Sequence, residues 1–120
     1  MPARFLVVDD DQDDVELIDG LLMDGGYVAL LASNAEEALR VAIMQHPDMV
    51  LLDLRLPRID GYEIAARIKD EPRLEQTRIV AVTGAGDESE RVMAAGFDGF
   101  ISKWVDPAAF VGQVENLLAQ

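Results

Sequence analysis

Five short apolar runs, separated by stretches of helical periodicity, restrict what this chain can fold into more than any other feature of its sequence. The runs are RFLVV (4–8), YVALLA (27–32), MVLLD (49–53), RIVAVT (78–83) and GFISK (99–103). Each is continuous rather than alternating, as expected of strands covered on both faces and therefore of a parallel sheet. Between them, apolar residues recur at helical spacing: Val15, Ile18 and Leu22; Ala35, Ala38, Leu39, Ala42 and Ile43; Ile64, Ala65 and Ile68; Phe110, Val114, Leu117 and Leu118. A shorter helix is expected over about 88–95. The punctuation agrees. DGGY ends the first helix, Ser33 and Asn34 precede Glu36 and Glu37 as an N-cap, Pro72 stops the third helix and Asp106-Pro107 opens the last. Met44, Met49 and Met93 read as core fillers. Strands alternating with helices predict a three-layer α/β sandwich with right-handed crossovers, formed as one domain over 1–120.

Composition narrows the functional classes. A chain of 120 residues can bury a core without staples, and the absence of cysteine excludes disulfides and thiolate metal sites. A net charge of −13 opposes direct nucleic-acid binding, because phosphate neutralisation needs a clustered basic face that ten scattered Lys and Arg do not supply. No apolar run reaches the roughly 18 residues of a membrane span, and the N-terminus lacks a secretory pattern. A cytoplasmic protein with protein or cation partners is expected.

In an open parallel sheet the functional crevice lies at the carboxyl ends of the strands, near the point where strand order reverses. The first strand runs into Asp9 and Asp10, the third ends in Asp53, the fourth in Thr83 and the fifth in Lys103. Three carboxylates, a hydroxyl and an ammonium would thus converge from distant segments. Carboxylates crowded together repel unless they share a divalent cation, and magnesium takes one or two carboxylates plus waters and phosphate oxygens. Asp9 and Asp10 therefore read as a metal platform and Asp53 as a nucleophile toward phosphorus. Thr83 and Lys103 would serve the phosphoryl oxygens.

The first strand enters six carboxylates within eight positions, in VVDDDQDDVE, and these do not all need the same explanation. Asp9, Asp11 and Asp13 imitate the opening of a calcium loop, but Asp14 stands where the loop needs Gly and Gly20 where it needs Glu. Asp11, Asp13, Asp14 and Glu16 are read as a capped, solvated first helical turn that favours negative charge. His46, the one histidine, sits in QHPD and reads as a loop residue outside the helical setting of a phosphorylated histidine.

Together FLVVDDD, MVLLDLRLPRIDGYE, IVAVTGAG and AAGFDGFISK resemble the receiver domain of two-component response regulators, the CheY-like family, over essentially the whole chain. The resemblance implies a flavodoxin-like sheet of order 2-1-3-4-5 with five helices. It implies that Asp53 accepts a phosphoryl group from a phosphohistidine on a sensor histidine kinase or histidine phosphotransfer protein. It implies further that Asp10, Asp53 and the backbone carbonyl of Arg55 hold Mg2+ directly and Asp9 through water. Thr83 and Lys103 match the family's switch hydroxyl and lysine, Phe100 its switch aromatic, and Pro57 and Gly61 its tight loop before the third helix. Such a chain catalyses only its own aspartyl phosphorylation and dephosphorylation. With no output domain after the fifth helix, its signal would leave by contact with a downstream target protein, through the face of the fourth helix, fifth strand and fifth helix. Met1 directly before the first strand favours a whole protein over a fragment.

The sequence departs from that family at particular places. Trp104 follows Lys103 where proline is usual, and a trans Lys103-Trp104 bond with the indole displaced toward the surface is expected, because a cis bond without proline costs about 2.5–4 kcal/mol. Arg55 and Ala85 offer no carboxylate or amide to orient an attacking water, and Arg55 is long enough to cover the phosphoryl oxygens. Phe100 replaces the commoner tyrosine; taken by itself it reads as core or half-core packing. Rival functions fit less well. A haloacid-dehalogenase-type phosphatase needs a second Asp where Arg55 stands, and a flavin carrier needs a phosphate cradle where DDDQDD stands. A degenerate receiver used only for docking would not need all five polar site residues.

Overall fold

The computed structural model describes residues 3–56, 60–84, 88–103 and 105–120. The readings at Pro57, Ala85 and Trp104, including the trans Lys103-Trp104 bond, lie outside the described residues. Five strands, β1 (Arg4–Val8), β2 (Val28–Ala32), β3 (Met49–Leu52), β4 (Arg78–Thr83) and β5 (Gly99–Ser102), form one parallel sheet in the order β2-β1-β3-β4-β5. Between and after them run α1 (Gln12–Asp24), α2 (Ala35–Gln45), α3 (Gly61–Lys69), α4 (Ser89–Ala94) and α5 (Phe110–Leu118). The chain steps one way from β1 to β2 and the other way from β2 onward. Right-handed crossovers therefore place α1 on one face and α2, α3 and α4 on the other.

The core divides along that plan. Phe5, Val7, Met49, Leu51, Val80, Val82 and Ile101 point to α1 and α5, where they meet Ile18, Leu22, Phe110 and Val114. The alternate residues Leu6, Val8, Val50, Leu52, Ile79 and Ala81 meet Ala38, Ala42, Ile64, Ile68 and Val92 of α2, α3 and α4. Period-2 alternation gives both faces an apolar layer, which is why the central strands read as unbroken apolar runs. The edge strand β2 departs from this expectation: Val28 is 43% and Leu31 45% exposed.

Local chemistry explains most helix ends. Asp11 caps α1 by accepting from the N–H groups of Asp13 and Asp14, Asn34 caps α2 through Glu37 N–H, and Asp60 caps α3 through Tyr62 N–H. Gly26, at φ +87°, turns the chain out of α1 into β2, and His46 ends α2, exposed, in the left-handed region at φ 47°. α3 stops at Lys69 with Asp70 as its C-cap, and Pro72, two residues beyond, blocks its continuation and starts a 3-10 turn over Pro72–Leu74. Asp106 opens a turn whose N–H groups at Ala108, Ala109 and Phe110 it accepts, with α5 regular only from Phe110.

Of the three methionines read as core fillers only Met49 is buried; Met44 and Met93 are 67% and 55% exposed. Met44 lies two residues past the inward-facing Ala42 and Met93 one past Val92, both rotated away from the sheet by the 3.6-residue period.

Gly61 fixes the approach of α3 to the end of β3. Its N–H donates to the carbonyl of Leu54, and a Cβ there would lie 2.7 Å from Leu54 Cα and 2.9 Å from the Asp53 carbonyl oxygen. Both neighbours are backbone and cannot rotate away, so glycine serves close approach here rather than a positive φ. Gly61→Ala is expected to cost about 1–3 kcal/mol, measured by urea denaturation of the two chains. An unchanged midpoint would mean that the loop between Asp53 and α3 accommodates the methyl by shifting freely.

Candidate functional site

Asp9 and Asp53 follow directly from β1 and β3, adjacent in the sheet, and are held by one backbone hydrogen bond each: Asp9 N–H donates to Ala32, Asp53 N–H to Val8. Thr83 ends β4, and its carbonyl accepts from Lys103 N–H at 3.0 Å, so the hydroxyl-bearing and ammonium-bearing residues are coupled through the β4–β5 ladder. Asp9, Asp10, Asp53 and Lys103 come together at this end of the sheet. Ligand oxygens of Asp9, Asp10 and Asp53 lie within 4.8 Å of one another; Asp9 and Asp53 are buried and Asp10 is exposed. Arg55 N–H donates to Asp53 Oδ1 at 2.9 Å, which folds the chain after β3 back over the carboxylate.

Lys103 Nζ lies inside the cluster. It donates to Asp14 Oδ2 at 2.7 Å, Asp9 Oδ2 at 2.8 Å and Asp53 Oδ2 at 3.3 Å, with its side chain only 11% exposed. An ammonium has three donors, and all three are used. Burial alone would push Lys103 down, but hydrogen bonds to Asp14 and Asp9, with the charges of Asp53 and Asp9, carry it above the ordinary lysine value. Burial pushes the Asp9 carboxyl above its usual 3.8; Lys103 and the Asp11 N–H oppose the rise and the charge of Asp53 adds to it. The folded chain thus holds the Asp9 proton more tightly than the unfolded chain does. Stability from this group is full below the unfolded value and is lost as pH rises through the folded one. Four carboxyl groups face one ammonium, so the site is short of positive charge.

Asp14 is the site residue that sequence reasoning missed. It was read with Asp11, Asp13 and Glu16 as part of a solvated turn, yet it is buried while those three are exposed. The signal was present: Asp14 stands four residues before Ile18 and eight before Leu22, on the inward stripe of α1.

The donor set fits a hard divalent cation and a phosphoryl group. The three clustered ligands are all carboxylate oxygens, the preference of magnesium. The Thr83 hydroxyl is buried and has no hydrogen-bond partner among the described residues, which is costly unless a ligand supplies one. Arg55 does not cover the pocket. Its side chain is 67% exposed and pairs with Glu88, just before α4, at 3.3 Å. Glu88 also meets Tyr62 Oη at 3.3 Å and Arg91 at 3.7 Å, and the Arg91 guanidinium stacks 4.2 Å above the Tyr62 ring. Phe100 is half-buried against the α2–α3–α4 side of the core, in agreement with half-core packing.

Comparison with known proteins agrees with this geometry. Residues 5–115 match the model of the response regulator receiver domain. The polar-differentiation response regulator DivK of Brucella anthropi is 31% identical over 121 residues, covering 98% of both chains. A CheY-like response regulator receiver domain protein from Methanospirillum hungatei superposes with a TM-score of 0.88 at 26% identity, over 99% of this chain and 95% of that one. The receiver domain of a Pseudomonas aeruginosa sensor histidine kinase, whose structure has a magnesium ion coordinated in the active-site cleft, shares the fold at TM-score 0.88 and 24% identity, over the full length of both chains. With its sheet order, its carboxylate cluster and its full-length match in agreement, the chain belongs to the response regulator receiver family.

Proposed function

We propose that this chain is a phosphorylation-driven protein switch. Asp53 takes a phosphoryl group from a phosphohistidine on a sensor histidine kinase or histidine phosphotransfer protein, in a magnesium-dependent reaction, and the signal passes by contact to a downstream target protein. The observation that carries the reading is the buried Thr83 hydroxyl, without a partner among the described residues, on the strand next to the one that leads into Asp53 and bonded through its backbone to Lys103. A hydroxyl donor and an ammonium next to a carboxylate nucleophile are what a transferred phosphoryl group requires.

In the transfer, an Asp53 carboxylate oxygen bonds to phosphorus as the P–N bond to the donor imidazole breaks. The electron pair of that bond stays on the imidazole nitrogen. The product is an acyl phosphate on Asp53. Thr83 donates to one phosphoryl oxygen and Lys103 to another. Asp10, Asp53 and the Arg55 carbonyl would hold Mg2+, with Asp9 acting through water. When bound, the ion neutralises carboxylate and phosphoryl charge. The chain acts on no external substrate beyond its phosphodonor, catalysing only its own phosphorylation and dephosphorylation, and we assign it to the cytoplasm. Among the described residues no helix is long and apolar enough to cross a membrane. The net charge of −13 argues against nucleic acid as a direct partner. The face of α4, β5 and α5, with Phe100 at its base, is the output surface in this reading.

Incubation with magnesium and acetyl phosphate, followed by intact-mass measurement, should give a labile gain of one phosphoryl group; no gain would favour a module used only for docking. Asp53→Asn is expected to abolish that gain while keeping the fold. By removing one of four mutually repelling carboxylates it should also stabilise the metal-free protein by about 1 kcal/mol. A mutant that takes phosphate at the wild-type rate would overturn the site assignment.

Magnesium at about 100 times its dissociation constant should add about 2.7 kcal/mol of stability by mass action, read as a rise in Tm. Asp10→Ala should remove most of the rise, and an undiminished response would point to another metal site.

Self-dephosphorylation should be slow, since Arg55 offers no group to orient water and is turned toward Glu88. Arg55→Asn should speed hydrolysis of the phosphorylated protein; slower hydrolysis would count against this account.

A further inference from the structure

We propose that Asp14 is a positioning residue that anchors Lys103 from the α1 side and is the one partner of its ammonium that a bound cation does not claim. Of the three carboxylates around Nζ, Asp14 makes the shortest contact, 2.7 Å, against 2.8 Å for Asp9 and 3.3 Å for Asp53. The oxygens close enough to share a metal ion belong to Asp9, Asp10 and Asp53, so two of the ammonium's three acceptors are also candidate metal ligands and Asp14 is not. A cation seated in that cluster draws Asp9 and Asp53 toward itself and repels the ammonium. Asp14 then holds Lys103 over the pocket, which frees its remaining donors for a phosphoryl oxygen. This last step rests on the function proposed above; the anchoring itself does not.

The anchor is rigid. Asp14 is the third residue of α1, its N–H donates to the capping Asp11 carboxylate, and the next inward residues, Val15 and Ile18, lie in the core. A carboxylate needed only for the helix dipole would gain nothing from burial, and Asp13, one residue earlier, supplies that charge from an exposed position.

Lys103 reactivity toward an amine-directed acylating reagent, followed peptide by peptide by mass spectrometry with no phosphodonor present, tests the anchor directly. In the wild-type protein Lys103 should stay protected with or without magnesium. In Asp14→Ala, loss of a charge-assisted hydrogen bond should raise Lys103 labelling about tenfold, and magnesium should raise it further in that variant alone. Asp14→Asn, which keeps an acceptor oxygen without the charge, should fall between the two and guards against a folding defect in the alanine variant. Asp13→Ala should label as wild type. Equal Lys103 labelling in wild type, Asp14→Ala and Asp14→Asn would overturn the proposal, as would an Asp13→Ala chain that matches Asp14→Ala. A wild-type chain that shows this labelling pattern but gains no phosphoryl group from acetyl phosphate would remove the proposed function and leave the anchor standing.

Discussion

The ammonium of Lys103 holds this end of the molecule together. Its three hydrogen bonds join the end of β5 to the end of β1, the first turn of α1 and the end of β3, segments up to 94 residues apart in sequence. Without that charge, Asp9, Asp14 and Asp53 would face one another in a pocket where water screens them poorly, and breaking such a buried pairing costs about 3–5 kcal/mol. The site is thus built under electrostatic tension. Carboxylates exceed cations, burial raises the Asp9 carboxyl, and the Thr83 hydroxyl has no partner among the described residues. A cation would offset the excess of carboxylates, and an oxygen-bearing ligand would give the hydroxyl an acceptor.

A second network joins the site to the rest of the fold. The Arg55 N–H braces Asp53 Oδ1 while the Arg55 guanidinium reaches Glu88, so one residue touches both Asp53 and the entry to α4. Glu88 is 14% exposed and shared among Arg55, Arg91 and Tyr62, and the Tyr62 ring packs edge-on against Phe97 at 5.7 Å. The Arg55–Glu88 pair, solvent-exposed on its Arg55 side, is worth about 1 kcal/mol.

Much of the architecture was legible because it follows from local rules. All five strands were placed within one residue of their observed bounds, since a sheet covered on both faces must use continuous apolar runs and the turns between them use Gly, Asn and Asp for steric reasons. The misreadings fall where local rules stop. Val28 and Leu31 of the edge strand β2 are partly exposed, and nothing in YVALLA marks an edge. Met44 and Met93 look like core residues by hydrophobicity and are turned outward by helix phase.

The sequence alone determined the strand-end chemistry, because the end of a parallel strand is a topological position and a residue following an apolar run must lie there. Asp9, Asp10, Asp53, Thr83 and Lys103 could be named as one site on that ground, before any distance was known. Only the tertiary structure could separate Asp14 from its neighbours. In the run DDDQDD every side chain but that of Gln12 carries the same group, and which carboxylate is solvated and which faces the lysine depends on the rotation of α1 against the sheet, fixed by Ile18 and Leu22 packing among Phe5, Leu51 and Phe110. The physical reason is one of range. Strand ends are set by hydrophobic periodicity over a few residues, whereas a charge buried on a helix is set by a partner 89 positions away.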